Sequence, residues 1–238
     1  MKKAALLFAI VAGVATFVNA DTLIRLKSHS DAFTIMGQTQ PARDDTQEIW
    51  IGQNQMATIT KEGTFIVDLG RNVLNIVDHS RKSYVEMTLP FDMKDYLPPQ
   101  MAQMIGATKV TVTPKGTTQQ VNQWNCNGYD VVMDMGMMKI KSVIWASTDV
   151  PFDWAQFFER FGKHFMKASM RVNDDAVAEY GKIQGFQVKA DTVIDMMGAE
   201  MKASSVVTEI SEKPAPPGIY SVPAGYTRQD KLITIPGQ

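Results

Sequence analysis

Short segments rich in β-branched and aromatic residues fill the chain from residue 22 to residue 88. Apolar positions recur at every second residue, as at Ile49 and Ile51 or at Phe65 and Val67, so one face of each segment is directed toward a core. Turn-forming residues such as Lys61-Glu62-Gly63 separate the segments. Regular short strands with polar turns predict an antiparallel meander. The predicted strands are TLIRLKS, DAFTIMG, QEIWIG, QMATIT, TFIVDL, NVLNIVD and KSYVEMT.

A helical period replaces the strand period at residues 152–168, FDWAQFFERFGKHFMKA. Large aromatic side chains fall on one stripe of this helix, with charged residues on the other side. Asp153 is a suitable N-cap. Shorter helices are predicted over residues 98–105 and 174–182. The aromatic stripe consists of Trp154, Phe157, Phe158, Phe161 and Phe165.

The segment YDVVMDMGMMKIKSVIWA predicts a hairpin with a two-residue turn at Gly136-Met137. Glycine at the first central position fits a type II′ turn. One face of this hairpin is then apolar, and the other carries a cross-strand ion pair. The predicted pairs are Met135 with Met138, Met133 with Ile140, and Asp134 with Lys139.

A second hairpin is predicted in DTVIDMMGAEMKASSVV, with its turn at Gly198-Ala199. Its methionines again share an apolar face. The predicted pairs are Met196 with Met201, Ile194 with Ala203, and Asp195 with Lys202.

Residues 1–20 resemble a secretory signal peptide. Lys2 and Lys3 precede an apolar run that ends in Val18-Asn19-Ala20, a suitable cleavage site. No later segment is long and apolar enough for a membrane helix. We expect a single domain over residues 21–238, located in the periplasm or secreted.

Charge and motifs narrow the function. Without Lys2 and Lys3, the 24 basic residues become 22 against 25 acidic ones, a net charge of −3, and no basic block exists. Nucleic acid is therefore not an expected partner. Cys126, the only cysteine, cannot form an internal disulfide and is expected in the core. Because no catalytic motif occurs, we expect a non-enzymatic protein without a cofactor.

The 16 methionines have three interpretations. Clustered thioethers can bind Cu(I), form an adaptable wall for an apolar ligand, or fill a core. His29, His79 and His164 lie far apart in the sequence, which weakens the metal interpretation. All three interpretations stay open at this point.

Four stretches resemble the LolA/LolB-like superfamily, which includes periplasmic lipoprotein carriers, and come closest to an uncharacterised exported branch of it. The resemblance implies a strongly curved antiparallel sheet, an open half-barrel, with helices on its concave face and a cavity for acyl chains. The stretches are TFIVDLGRNVLNIVDHSRKSYVEM, CNGYDVVMDMGMMKIKSVIWAS, GFQVKADTVI and YSVPAGYTR.

The sequence thus predicts a mainly β (α+β) domain, a curved antiparallel sheet with two or three helices on its concave face. The predicted function is binding of a lipid, acyl chain or lipidated peptide, with transient contact to the cell envelope. The alternatives are a periplasmic Cu(I)-binding protein and an envelope scaffold with a filled core. The predicted cavity wall is Met133, Met135, Met138, Ile140, Met196 and Met201. The predicted lid is Trp154, Phe157, Phe158 and Phe161.

Overall fold

The computed structural model describes residues 20–35, 37–99, 101–102, 108–136, 138–196 and 198–232. Except for Ala20, the predicted signal peptide lies outside these residues. So does most of the helix predicted over residues 98–105. No helix in the described ranges combines the length and apolarity needed to cross a bilayer.

Strands dominate the described part of the chain, as the alternation predicts. All seven strands predicted before residue 88 are present. After residue 108 the chain forms one long strand, β9, which continues through Pro114 and Gly116. The strands are β1 (Asp21–Ser30), β2 (Phe33–Ile35), β3 (Gln38–Gln40), β4 (Arg43–Ile51), β5 (Gln55–Ile59), β6 (Gly63–Asp68), β7 (Val73–Asp78), β8 (Ser83–Thr88), β9 (Lys109–Val121), β10 (Trp124–Asp134), β11 (Met138–Ser147), β12 (Phe186–Met196), β13 (Ala199–Lys213) and β14 (Thr227–Gln229).

Twelve of these strands form one sheet in the order β14-β8-β7-β6-β5-β4-β1-β13-β12-β11-β10-β9, and β2 and β3 form a separate hairpin. The edge strands β14 and β9 do not pair, so the sheet is open. Neighbours are antiparallel except β14, which runs parallel to β8. The sheet is therefore mixed, and the prediction of a wholly antiparallel sheet was wrong. The parallel pair arises because the chain after β13 crosses to the far edge of the sheet before it pairs again.

That crossing is a strap, residues 214–226, on the face of β5, β6 and β7. Tyr220 and Tyr226 pack there around Ile66 and Val77. The Tyr220 hydroxyl donates a hydrogen bond to Asp21 Oδ2 at 2.7 Å. The strap thus covers apolar side chains on one face of the meander, opposite the helices.

The helical part is smaller than predicted. One helix of 16 residues, α1, joins an α-helical turn (Trp154–Phe157), a π-helical segment (Phe158–Gly162) and a second α-helical segment (Lys163–Ser169). Helix α2 (Asp174–Tyr180) has only seven residues. Asp153 caps α1 as predicted, because its Oδ1 accepts a hydrogen bond from the Gln156 amide at 2.9 Å.

Contacts of α1 show that the sheet curves toward it. The Phe165 ring lies edge-on to Phe65 of β6 at 5.3 Å, and the Phe157 ring lies edge-on to Phe186 of β12 at 5.9 Å. Strands β6 and β12 are five positions apart, which is roughly 24 Å in a flat sheet. Phe157 and Phe165 are only about 12 Å apart along the helix. One helix can contact both strands because the sheet bends around it.

The first methionine hairpin has the predicted register. Met133 pairs with Ile140 and Asp134 with Lys139, and the Met135 amide donates to the Met138 carbonyl at 2.9 Å. The Lys139 Nζ lies 3.2 Å from Asp134 Oδ2, the predicted ion pair.

The second hairpin differs from the prediction by two residues. Met196 pairs with Ala199 and Ile194 with Met201, so Ala199 belongs to strand β13 and not to the turn. Gly198 has a φ of +87°, and its amide donates to Asp195 Oδ1 at 3.0 Å. A shift of two preserves the alternation, so Met196 and Met201 keep the predicted face.

Candidate functional site

A cavity of about 480 Å³ lies between α1 and the sheet. Its volume falls within the range of roughly 300–1,000 Å³ that is typical of small-molecule sites. The sheet side comes from β1, β4, β11, β12 and β13, and the helical side from α1, α2 and the connection that follows α2.

The floor of the cavity consists of cross-strand pairs between β11 and β12. Ile140 pairs with Ile194, and Ile144 pairs with Ala190. Each pair places two apolar side chains on the same face. The pair between them is polar but satisfied, because the hydroxyls of Ser142 and Thr192 are 2.9 Å apart. The floor continues at Leu26, Ile49 and Ser205.

The roof of the cavity is the aromatic side of α1. Trp154, Phe157, Phe158 and Phe165 line it. Gly162, at the end of the π-helical segment, also lines it. Single π-helical turns occur frequently at functional sites. The irregular turn of α1 therefore lies directly over the cavity.

Three aromatic rings join the start of α1 to the sheet. Phe152, Phe157 and Phe186 contact one another edge to face, with ring centroids 5.2 to 5.9 Å apart. Such pairs stabilise by about 0.5–1.5 kcal/mol beyond the burial of their area. Two of these rings, Phe157 and Phe186, also line the cavity.

Gly185 supports the same end of the cavity. Its φ is +111°, and a Cβ there would lie 2.5 Å from the carbonyl carbon of Ser147. Only glycine combines this backbone conformation with so close an approach. Gly185 therefore lets the chain leave α2 and enter β12 beside the end of β11.

The electrostatic character of the cavity is neutral. No Asp, Glu, Lys, Arg or His side chain lines it within the described ranges. Polar groups are amides and hydroxyls, among them Gln47, Gln187 and Ser169. Tyr180 also lines the cavity, and burial raises the pKa of its phenol to about 12, so this hydroxyl stays protonated at neutral pH. A buried charge without a partner costs several kcal/mol, so the wall selects an uncharged group.

The structure brings four of the ten predicted site residues to the cavity. Ile140 lies in its floor, and Trp154, Phe157 and Phe158 lie in its roof. Phe161 is 2% exposed and packs in the main core instead, since it occupies a different side of α1.

The predicted methionine wall lies outside the cavity lining. Met133 is 2% exposed under α2, with Met135 half-buried against the same cluster. Met138, Met196 and Met201 are half-buried. They occupy the same sheet face as the cavity floor, nearer the hairpin tips, and extend its apolar surface.

Sequence reasoning missed much of the floor. Leu26, Ile49 and Ser205 come from β1, β4 and β13, which meet through pairing between the two ends of the chain. Phe186 was also missed, although the sequence contained a local signal for it: an aromatic residue stands at the start of the second hairpin.

Metal-binding arrangements of the usual donors are absent from the described residues, since no three His, Cys, Asp or Glu side chains cluster suitably. Cys126 is 1% exposed, and burial raises the pKa of its thiol. A buried, protonated thiol is a poor nucleophile and a poor ligand.

A second hollow of about 550 Å³ lies on the opposite face of the sheet. Its lining contains valines together with charged side chains, including Lys141, Lys202, Asp130 and Asp191. Asp130 and Asp191 form ion pairs with neighbouring lysines. This pattern is typical of a solvated sheet face, so the neutral cavity under α1 is the stronger candidate for a ligand site.

No family model matches the chain, and no curated protein matches its sequence. Among solved structures, PNGF-II is similar with a TM-score of 0.42 and 8% sequence identity, over 89% of this chain and 31% of that chain. The chain thus spans about a third of the length of PNGF-II. At this TM-score the likeness assigns neither a fold family nor a function.

Proposed function

We propose that the protein binds a hydrophobic ligand, a lipid, acyl chain or lipidated peptide, in the cavity between α1 and the curved sheet, without catalysing a reaction. The cavity of about 480 Å³ with its neutral lining carries this proposal. Transfer of apolar ligand surface from water into it would contribute about 25 cal/mol per Å² buried. The volume suits one chain or one small molecule rather than a whole multi-chain lipid.

The lining restricts the chemistry of the ligand. Because no described side chain in the lining is charged, a carboxylate or phosphate would lose its hydration without gaining a partner. A charged head group would therefore remain outside, with the apolar portion inside. The amides of Gln47 and Gln187 could satisfy a hydroxyl or ester oxygen within the cavity.

We propose that α1 moves when a ligand enters or leaves, and its attachments suggest how. The aromatic contacts of Phe157 attach the first turn of α1 to β12. Phe165, nearer the last turn of α1, contacts Phe65 of β6. The π-helical segment between them is the least regular part of the helix. We place the opening movement there.

The resemblance to LolA/LolB-like carriers extends this proposal. The open, curved sheet and its cavity agree with the half-barrel that the resemblance implies. We propose a periplasmic or secreted location, with residues 1–20 removed on export, and transient contact with the cell envelope during ligand exchange. Cell fractionation and N-terminal sequencing of the mature protein test this part separately.

The alternative of a scaffold with a filled core is less well supported, because the space under α1 is not filled by side chains. Mass spectrometry of organic extracts from gently purified protein tests ligand binding. We expect a bound apolar molecule in the extract and saturable uptake of a dansyl-labelled fatty acid by extracted protein. A consistently empty protein that takes up no probe would favour the scaffold.

A further inference from the structure

Pairing of the two hairpins brings three methionines into one cross-strand row. Met138 of β11 lies directly opposite Met196 of β12. On its other side, the Met135 amide donates to the Met138 carbonyl at 2.9 Å. Met135, Met138 and Met196 therefore occupy neighbouring positions on three adjacent chain segments, although Met135 and Met196 are far apart in the sequence.

The three side chains share a face and are accessible. Met138 is two residues from Ile140 on β11, and Met196 is two residues from Ile194 on β12, so each methionine shares a face with its isoleucine. Both isoleucines line the cavity floor. Each of the three methionines is half-buried. Neighbouring strands are about 4.8 Å apart, and methionine has three rotatable side-chain bonds. Their sulfurs can therefore converge on one ion at the surface.

From this row we propose a Cu(I) site formed by the thioethers of Met135, Met138 and Met196. Soft sulfur ligands select Cu(I) over harder divalent ions. Binding is a simple association, because a thioether carries no proton to release. The site is independent of the proposed cavity ligand, since none of the three side chains lines the cavity.

A thiol and an imidazole that could compete for the ion are poorly placed. Cys126 is buried and its pKa is raised. His29 is held by Asp44, whose Oδ1 lies 2.7 Å from its Nδ1. Both are proton-linked ligands, so metal bound to either one would show a pH-dependent affinity. A thioether site has an affinity that does not change with pH.

Anaerobic titration of Cu(I) against a chromophoric chelator tests the site in the full-length protein. Met138→Leu with Met196→Leu removes two thioethers but retains apolar volume, an exchange that typically costs less than about 1.5 kcal/mol in stability. The matched control, Met56→Leu with Met87→Leu, removes two thioethers that are 0% exposed.

We expect one Cu(I) per chain in the unaltered protein, with the same affinity at about pH 6 and about pH 8. Removal of a residue that only supports a metal ligand lowers metal affinity by up to roughly 100-fold. The Met138/Met196 variant lacks two of the ligands themselves, so its affinity for Cu(I) should fall by more than that. The control variant should bind normally. Absence of stoichiometric binding, an affinity that rises with pH, or equal binding by the two variants would overturn the proposal. Fatty-acid uptake by the Met138/Met196 variant should be unchanged, so failure of the copper site and failure of the cavity are distinguishable.

Discussion

The ring of Phe157 on α1 lies edge-on to the ring of Phe186 on β12, with centroids 5.9 Å apart. Both rings also line the cavity. One contact thus attaches the helix to the sheet and forms part of the wall of the candidate site. Stability of the fold and retention of a ligand are therefore expected to depend on the same side chains.

Phe157→Ala should lower both properties. Replacing a fully buried phenylalanine by alanine lowers the free energy of unfolding by about 3–5 kcal/mol. Because Phe157 is only partly buried, we expect a loss of roughly 2 kcal/mol. Urea unfolding of extracted protein measures this, and probe uptake measures the loss of ligand affinity. Phe157→Leu should retain part of both. Unchanged unfolding by Phe157→Ala would show that the aromatic contacts do not hold α1.

The anchor of α1 at its middle should control ligand exchange. Arg160 Nη2 donates to the Gln53 carbonyl at 2.7 Å and to Asn54 Oδ1 at 2.8 Å. Arg160→Ala removes both hydrogen bonds, which we expect to stabilise the closed position of α1 by about 1 kcal/mol. Their loss should therefore speed probe release about fivefold. Stopped-flow displacement measures the rate. Release at the original rate would place the opening movement elsewhere.

Gly185→Ala should destabilise the protein by at least about 2 kcal/mol, because both the backbone conformation and the neighbouring chain resist a side chain. The new Cβ would lie 2.5 Å from Ser147. Gly181→Ala is the control, since its φ is −60° and its nearest contact is 3.2 Å. That change should alter stability by less than about 1 kcal/mol. Equal effects of the two substitutions on stability would contradict the close contact between Gly185 and the backbone of Ser147.

Acid should remove a stabilising contribution from Glu209. Hydrogen bonds from Lys213 and Ser211, together with Arg25, lower the pKa of this carboxyl from 4.5 to about 2. The unfolded state then binds the proton more readily, so the contribution is complete above about pH 4.5 and disappears as the pH falls toward 2. Urea unfolding across this window should show a flatter pH dependence for Glu209→Gln.

Glu200→Gln, on the same strand, is the control for that measurement. Glu200 is exposed and lies nine residues before Glu209, outside the hydrogen bonds that surround Glu209. Its substitution should leave the acid limb of the stability curve unchanged. A Glu209→Gln curve that parallels the original would show that the network around Arg25 does not stabilise the fold.

Local sequence patterns predicted the elements better than the site. The register of the first hairpin could be predicted because Gly136 fits one turn position and the ion pair of Asp134 with Lys139 agrees with it. In the second hairpin Ala199 pairs with Met196 and is not part of the turn, so the predicted register was wrong by two. The apolar face survived because a shift of two preserves the alternation.

The composition of the cavity could not be predicted from those patterns. Leu26 and Ser205 reach the floor through β1–β13 pairing, which joins distant parts of the chain and leaves no local signal. The methionines were expected in the wall because their face is apolar. The position of α1 leaves them nearer the hairpin tips, and only Ile140 of the predicted wall lies beneath the helix.

Ligand binding under α1 is tested most directly by two neighbouring serines on β13. Ser205 lines the cavity, whereas Ser204 lines the hollow on the opposite face. Ser205→Phe should fill the cavity and abolish saturable uptake of a dansyl-labelled fatty acid, while Ser204→Phe should bind the probe as the unaltered protein does. Equal uptake by the two variants would contradict binding in this cavity.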